Sequence, residues 1–327
     1  MPHTVVITDF DFPDDSIERA IIEGAGHRLE SYHALTEAEI SEVSAHASAL
    51  IVQYGKVGRE VIESSPGLKV IARYGVGVDI VDVEHATAKE IQVTNVPADY
   101  CLNEVADHAL ALLLALNRQL FSYNSAVRHG EWRWQSGAPI NRLSASTVGI
   151  VGFGRIGQAI ASRLVPFGPR VVAHDPYCPE SVFRSSKVDA LSLDELLEIS
   201  DYVVLQTPLT SETKGMIGKA QIDKMKRGAY LINTARGPLV DTEALDAAIK
   251  SGAIRGAGLD DLPEEPAKDN AWVPKDLLFA NSDALITPHA AYYSEESIRF
   301  CREFAASEVV RFLSGEKVLS PVNKVQR

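Results

Sequence analysis

One stretch constrains this 327-residue chain more than any other: Thr147-Val148-Gly149-Ile150-Val151-Gly152-Phe153-Gly154-Arg155-Ile156-Gly157. A β-forming run passes directly into glycines spaced G-x-G-x-x-G, and Gln158 to Leu164 then has helical character. Gly152 permits a tight turn, Gly154 lets backbone approach a pyrophosphate with no Cβ in the way, and Gly157 lets helix and strand pack closely. The amides that open the helix donate to phosphate. The glycine spacing by itself fits a structural turn equally well. A second strand, 170–174, ends at Asp175, eighteen residues after Gly157. A carboxylate there accepts from ribose hydroxyls and repels a 2′-phosphate, which points to NAD over NADP. The bland alternative makes Asp175 only the start of a turn before Pro176.

A strand–turn–helix unit of this kind belongs in a parallel α/β sheet. Strand-like runs are expected at 5–8, 49–53, 70–73 and 92–95, and a second series at 147–151, 170–174, 202–206, 229–233, 254–260 and 284–287. Between the two series lies a long apolar helix, 103–121, with Asn103 as its expected N-cap. Its apolar stretch, Val105 to Leu116, is far short of the ~20 residues that span a bilayer and reads as a buried helix. A second long helix, 294–314, follows the last strand, and in a two-domain chain it can return to the N-terminal domain.

Composition narrows function by exclusion. A hydrophobic share of 46% with 23% charged residues is that of an ordered soluble chain. The net charge of −12 offers no basic footprint for nucleic acid or anionic lipid. Cys101, Cys178 and Cys301 are too few and too scattered for a disulfide framework or a zinc site, and Cys101 reads as a packed thiol. No metal site is indicated. The N-terminus reads as a first strand, not a secretory segment, so a cytoplasmic protein is expected.

Three polar residues stand just past the ends of later strands, the edge where open α/β sheets bind ligands: Arg236, Glu265 and His289. Singly they read as a rim ion pair, a solvated loop acid and a hydrogen-bonded loop histidine. Together they suit reduction of a 2-keto acid. A guanidinium holds a carboxylate or polarises a carbonyl, an imidazolium donates to a developing alkoxide, and a carboxylate on that imidazole raises its pKa and fixes its tautomer.

These residues resemble the D-isomer-specific 2-hydroxyacid dehydrogenase family, through V-G-I-V-G-F-G-R-I-G (148–157), N-T-A-R-G-P-L-V-D (233–241), G-L-D-D-L-P-E-E-P (258–266) and T-P-H (287–289). The resemblance implies two Rossmann-like doubly wound domains: a discontinuous, flavodoxin-like substrate domain (1–101 and 292–327) and an NAD-binding domain (102–291). It makes Arg236, Glu265 and His289 catalytic and assigns Asp260 to the nicotinamide carboxamide. It also makes Tyr74, Gly75, Val76 and Gly77 a backbone cradle for the substrate carboxylate, with Arg236, His289 and Tyr292 completing the substrate set. The candidate cofactor set reads Gly152, Gly154, Arg155, Ile156, Gly157, Asp175, Thr207, Pro208, Thr213, Thr234, Ala235, Asp260 and His289.

The segment from His289 to Glu296 is most similar to the branch holding the C-terminal-binding-protein corepressors, although Tyr292 stands where those carry tryptophan. With the sequence ending at Arg327, the regulatory domain that many phosphoglycerate dehydrogenases append is not expected. The expected activity is NAD-dependent D-2-hydroxyacid dehydrogenase or 2-keto acid reductase. The alternative is an NAD(H)-sensing, corepressor-like binding protein, and a phosphonate or formate oxidiser ranks third. A homodimer is expected, from the apolar surface of the 103–121 helix and the Trp132–Trp134 segment after it.

Overall fold

The computed structural model describes residues 2–263, 278 and 283–325. The chain divides into two units, Met1–Tyr100 with Ser294–Arg327, and Cys101–Tyr293.

In the first unit five strands, β1 (Thr4–Ile7), β2 (Arg28–Ser31), β3 (Ala49–Val52), β4 (Val70–Arg73) and β5 (Gln92–Thr94), form a sheet in the order β2-β1-β3-β4-β5. Every pairing is parallel, and the order 2-1-3-4-5 is the flavodoxin-like one. Alternate residues supply opposite faces. Val5, Ile7, Ile51 and Val70 enter one core, while Val6, Leu50, Val52 and Ile71 enter the other. A strand covered by helices on both faces must be apolar throughout, which is why β3 reads Ala-Leu-Ile-Val.

Part of the first core comes from the far end of the chain. The helix Glu295–Leu313 inserts Cys301, Ala305, Ala306 and Val309 among these strand residues. Its start is fixed by Ser294, whose hydroxyl accepts from the Ser297 amide. Its Arg302 forks onto buried Glu18, with Nε to Oε1 at 2.9 Å and Nη2 to Oε2 at 2.7 Å.

The second unit holds β6 (Thr147–Val151), β7 (Arg170–His174), β8 (Asp189–Ala190), β9 (Tyr202–Leu205), β10 (Ala229–Asn233), β11 (Ile254–Leu259) and β12 (Ala284–Ile286). Their order is β12-β11-β10-β9-β6-β7-β8, all parallel. Counted from β6 this is the 3-2-1-4-5-6 Rossmann order with one more strand, and the order reverses beside β6. The doubly wound α/β class read from the sequence is the class observed.

The helix before β6 departs from expectation. Leu102–Asn117 is one helix and Leu120–Arg128 another, broken where Gln119 takes φ +54°. Asn103 is not the cap: Cys101 holds that position without a side-chain bond, and Asn103 Oδ1 accepts from Arg163 Nη2 at 2.9 Å. Ala106, Ala109, Leu112, Leu113 and Leu116 pack this helix onto Val148, Ile150 and Ile232. Among the described residues no helix is long and apolar enough to cross a membrane.

Candidate active site

The glycine turn behaves as its spacing demands. Gly152 takes φ +94°, and a Cβ on it would lie 2.6 Å from the Gln206 carbonyl. A Cβ on Gly157 would meet the Gly152 carbonyl oxygen at 2.3 Å, whereas one on Gly154 would enter open space. That open face is where a pyrophosphate fits, above the first-turn amides of the Arg155–Leu164 helix, which opens with Ile156 at its second position. Phe153 anchors the turn from below, fully buried and stacked on Phe183 at 5.0 Å.

Asp175 holds this turn together. One carboxylate oxygen accepts from the Phe153 amide at 2.8 Å, and the other accepts from the amides of Tyr177 (2.9 Å) and Cys178 (3.1 Å). The structural and ligand readings of Asp175 are therefore compatible, since each carboxylate oxygen accepts more than one donor. Burial and the Asp175 charge push the Cys178 thiol up, which leaves it protonated near neutrality. Cys101 is buried.

Across the switch point, the residues after β9 form a closed loop. The Thr213 hydroxyl donates to the Pro208 carbonyl at 2.6 Å and accepts from the Thr210 amide at 2.8 Å. The Thr207 hydroxyl reaches Met216 Sδ at 3.5 Å. Behind it the Gln206 side-chain amide donates to the Thr234 hydroxyl.

Arg236 leaves β10 on a turn built by Asn233, a residue that sequence reasoning quoted without giving it a role. Fully buried, Asn233 donates to the Arg236 carbonyl at 2.8 Å and accepts from the Ala235 amide at 3.0 Å. The guanidinium donates to the Ala235 carbonyl at 2.8 Å. A Cβ on Gly237 would lie 2.0 Å from the Leu262 carbonyl carbon, so this turn rests directly on the segment that follows Asp260.

His289 occupies a left-handed conformation, φ +51°, uncommon for a residue with a Cβ. Asp260 holds it. Its carbonyl accepts from the His289 amide at 2.6 Å, and its carboxylate accepts from the amides of Ala290 (2.9 Å) and Ala291 (2.8 Å). The carboxylate is 2% exposed and faces the His289 turn. The imidazole Nδ1 stands 3.9 Å from Asp261 Oδ2, and Tyr292 meets the ring edge-on at 6.0 Å. Glu265, the predicted partner of this imidazole, lies outside the described residues.

The glycine loop of the first unit is more selective than its sequence suggests. Tyr74 is buried, its hydroxyl donates to Glu18 at 2.9 Å and its amide belongs to the sheet edge. Its side chain therefore serves packing, and its amide is bonded to the Val52 carbonyl at 2.9 Å. The Gly75 amide turns back to the Arg73 carbonyl at 3.0 Å. Val76 and Gly77 have amides without an acceptor among the described residues. Arg73, which the sequence reading passed over as a strand residue, lays its guanidinium against Gly75, with Nη1 at 1.8 Å from an imagined Cβ. Its Nε is buried without a partner. Two open amides beside a cation make an anion-binding turn.

The second unit's strand order and glycine turn define a dinucleotide-binding α/β protein. Residues 110–291 match the family description "D-isomer specific 2-hydroxyacid dehydrogenase, NAD binding domain". The chain belongs to the D-isomer-specific 2-hydroxyacid dehydrogenase family, and NAD is the cofactor that this domain holds.

The chain is 38% identical to a D-3-phosphoglycerate dehydrogenase of Methanocaldococcus jannaschii over 98% of its own length and 59% of that protein. It thus spans little more than half of the phosphoglycerate dehydrogenases it matches. A glyoxylate reductase of Thermococcus gammatolerans is 40% identical over 82% of this chain and 80% of its own. Among solved structures, D-lactate dehydrogenase from Aquifex aeolicus, complexed with NAD and lactic acid, is 31% identical with a TM-score of 0.88, covering 95% of this chain and 96% of its own.

Proposed function

We propose that the protein is an NAD-dependent D-2-hydroxyacid dehydrogenase that reduces a small 2-keto acid, with His289, Glu265 and Arg236 as its catalytic set. The observation carrying this reading is the constrained turn at His289, whose backbone is gripped by Asp260 while the Arg236 turn rests on the same segment. Strain of this kind persists where surroundings over-determine it, and it gathers at reacting sites.

Bound NADH supplies the hydride. The His289 ring then donates a proton to the ketone oxygen as negative charge develops there. Glu265 is the carboxylate assigned to partner that ring, and Arg236 holds the carboxylate or polarises the carbonyl with its planar fork. Within the first unit, the turn of Tyr74, Gly75, Val76 and Gly77, with the Arg73 guanidinium beside its open Val76 and Gly77 amides, is suited to an anionic carboxylate; within the second unit, Tyr292 shapes the space beside the imidazole. Asp175, with Thr207, Pro208, Thr213, Thr234 and Ala235, lines the cofactor crevice and selects NADH.

A steady-state assay with NADH against glyoxylate, hydroxypyruvate, pyruvate and bulkier 2-keto acids tests this reading. Turnover of at least one, reduced about 10²–10⁴-fold in kcat by His289→Ala, supports it. NADH binding with no turnover of any keto acid would instead favour a nucleotide-sensing binding protein.

The same reading places the protein in the cytoplasm as a homodimer. Leu120, Phe121, Val127, Trp132 and Trp134 are exposed, Trp132 at 88%, and a second copy is the partner that would cover them. Sedimentation at micromolar concentration showing only a 35.5 kDa species would remove that assignment.

A further inference from the structure

We infer that His108 is a positioning residue for His289, acting through a directed hydrogen-bond relay that ends on the Asp260 carboxylate; the inference builds on the reaction proposed above. His108 lies on the Leu102–Asn117 helix with its side chain 25% exposed. Its Nε2 stands 3.0 Å from the Thr287 hydroxyl and 3.6 Å from Asp260 Oδ1. The Thr287 hydroxyl in turn lies 2.5 Å from the same Oδ1.

Proton counting fixes the direction. Asp260 already accepts two backbone amides, and a carboxylate has only acceptors to offer. Thr287 has a single hydroxyl proton, and at 2.5 Å from a carboxylate oxygen it is spent there. Toward His108 the threonine oxygen therefore offers a lone pair, and Nε2 must carry a hydrogen. The relay runs from His108 Nε2–H to Thr287 Oγ1–H to Asp260 Oδ1.

This arrangement does two things for the reacting turn. It ties residues 287–291 to the Leu102–Asn117 helix of the same unit, through the same Asp260 oxygen that accepts the Ala290 amide beside His289. It also brings to Asp260 the one group among the described residues, within 4 Å, that can become a cation. The carboxylate keeps its negative charge while its orientation is fixed by neutral donors. The apolar run from Val105 to Leu116 hides this histidine in the sequence.

Two variants and one spectroscopic measurement test the relay. His108→Phe keeps the ring volume without a donor, and His108→Gln keeps a donor. His108→Phe should lower kcat for keto-acid reduction roughly ten- to a hundredfold, since small displacements of a reacting group have effects of that order. KM and NADH affinity should change little, and His108→Gln should recover most of kcat. Independently of any turnover, ¹⁵N chemical shifts of the neutral His108 ring should report the Nε2–H tautomer, and Thr287→Val should perturb them. An Nδ1–H tautomer, or His108→Phe with unchanged kcat, overturns the inference. If no keto acid is turned over, the tautomer alone decides the relay, and the substrate panel separately decides the reaction.

Discussion

Two buried carboxylates, one in each unit, are held in opposite ways. Glu18 in the first unit is 1% exposed and receives a forked Arg302, the Tyr74 hydroxyl and no backbone amide. Asp260 in the second unit is 2% exposed and receives two backbone amides and a threonine hydroxyl, with His108 as the nearest group able to carry charge. A full counter-charge neutralises a buried acid and joins two elements, and that is how the returning helix is fixed to the Ser16–Gly24 helix. Dipoles alone orient an acid and leave its charge available to whatever lies beside it. The first arrangement holds a unit together; the second serves a site.

The comparison breaks most visibly at Arg302. Replacing it by methionine leaves Glu18 charged in a core with only the Tyr74 hydroxyl as partner, which costs about 3–5 kcal/mol. Denaturant unfolding should show the loss in Arg302→Met, and Glu18→Leu in the same chain should restore much of it. Equal stability of single and double variants would mean that the pair carries no special weight.

Asp260→Asn should do the reverse. It keeps the shape of the side chain and one of its two acceptor oxygens, so stability should fall by about 1–3 kcal/mol. Misplacement of the His289 turn should lower kcat about a hundredfold. A variant as unstable as Arg302→Met with near-normal kcat would show that the two acids have the same job.

Asp175 sharpens the contrast as a third acid, bound to amides as Asp260 is yet partly exposed. Asp175→Ala should narrow the preference for NADH over NADPH roughly tenfold, since a charge at partial exposure acts through a screened field. Equal kcat/KM for both coenzymes in the unsubstituted protein would make Asp175 a turn residue only.

The smallest effect belongs to Asp15, whose carboxyl is held below its ordinary 3.8 chiefly by the Arg19 hydrogen bond. A depressed folded value contributes stability that is fully present above pH 3.8 and fades as pH falls through the lower folded value. Thermal melts of the protein and Asp15→Asn should therefore differ at pH 5 and converge toward pH 2. A constant difference would assign the effect to packing.

Family and fold class were legible because they rest on local rules: glycines where backbone must bend or come close, and apolar runs where a sheet is covered on both faces. What stayed hidden is polar or non-local. Arg28–Ser31 reads Arg-Leu-Glu-Ser, an edge strand with one buried residue, and Asp189–Ala190 is too short to leave a pattern. The break at Gln119 depends on a left-handed residue that is not glycine. Tyr74 sits in a glycine-rich string that says nothing about which way a ring points. His108 meets Thr287 across 179 residues, a separation no local pattern spans. Of the proposed catalytic trio, the Arg236 and His289 turns are built by Asn233 and Asp260, whose buried polarity only the packed chain reveals.

The interleaved path of the chain sets an order of assembly during synthesis. Residues 101–293 emerge from the ribosome as one uninterrupted stretch, with every strand of the second sheet in hand. The first hundred residues emerge earlier yet wait longer, for Cys301, Ala305 and Val309 to fill their core and for Arg302 to answer Glu18. Until then their nascent sheet keeps an uncovered apolar face and an acid without its counter-charge, the kind of intermediate that chaperones guard. The unit made first is thus the unit finished last.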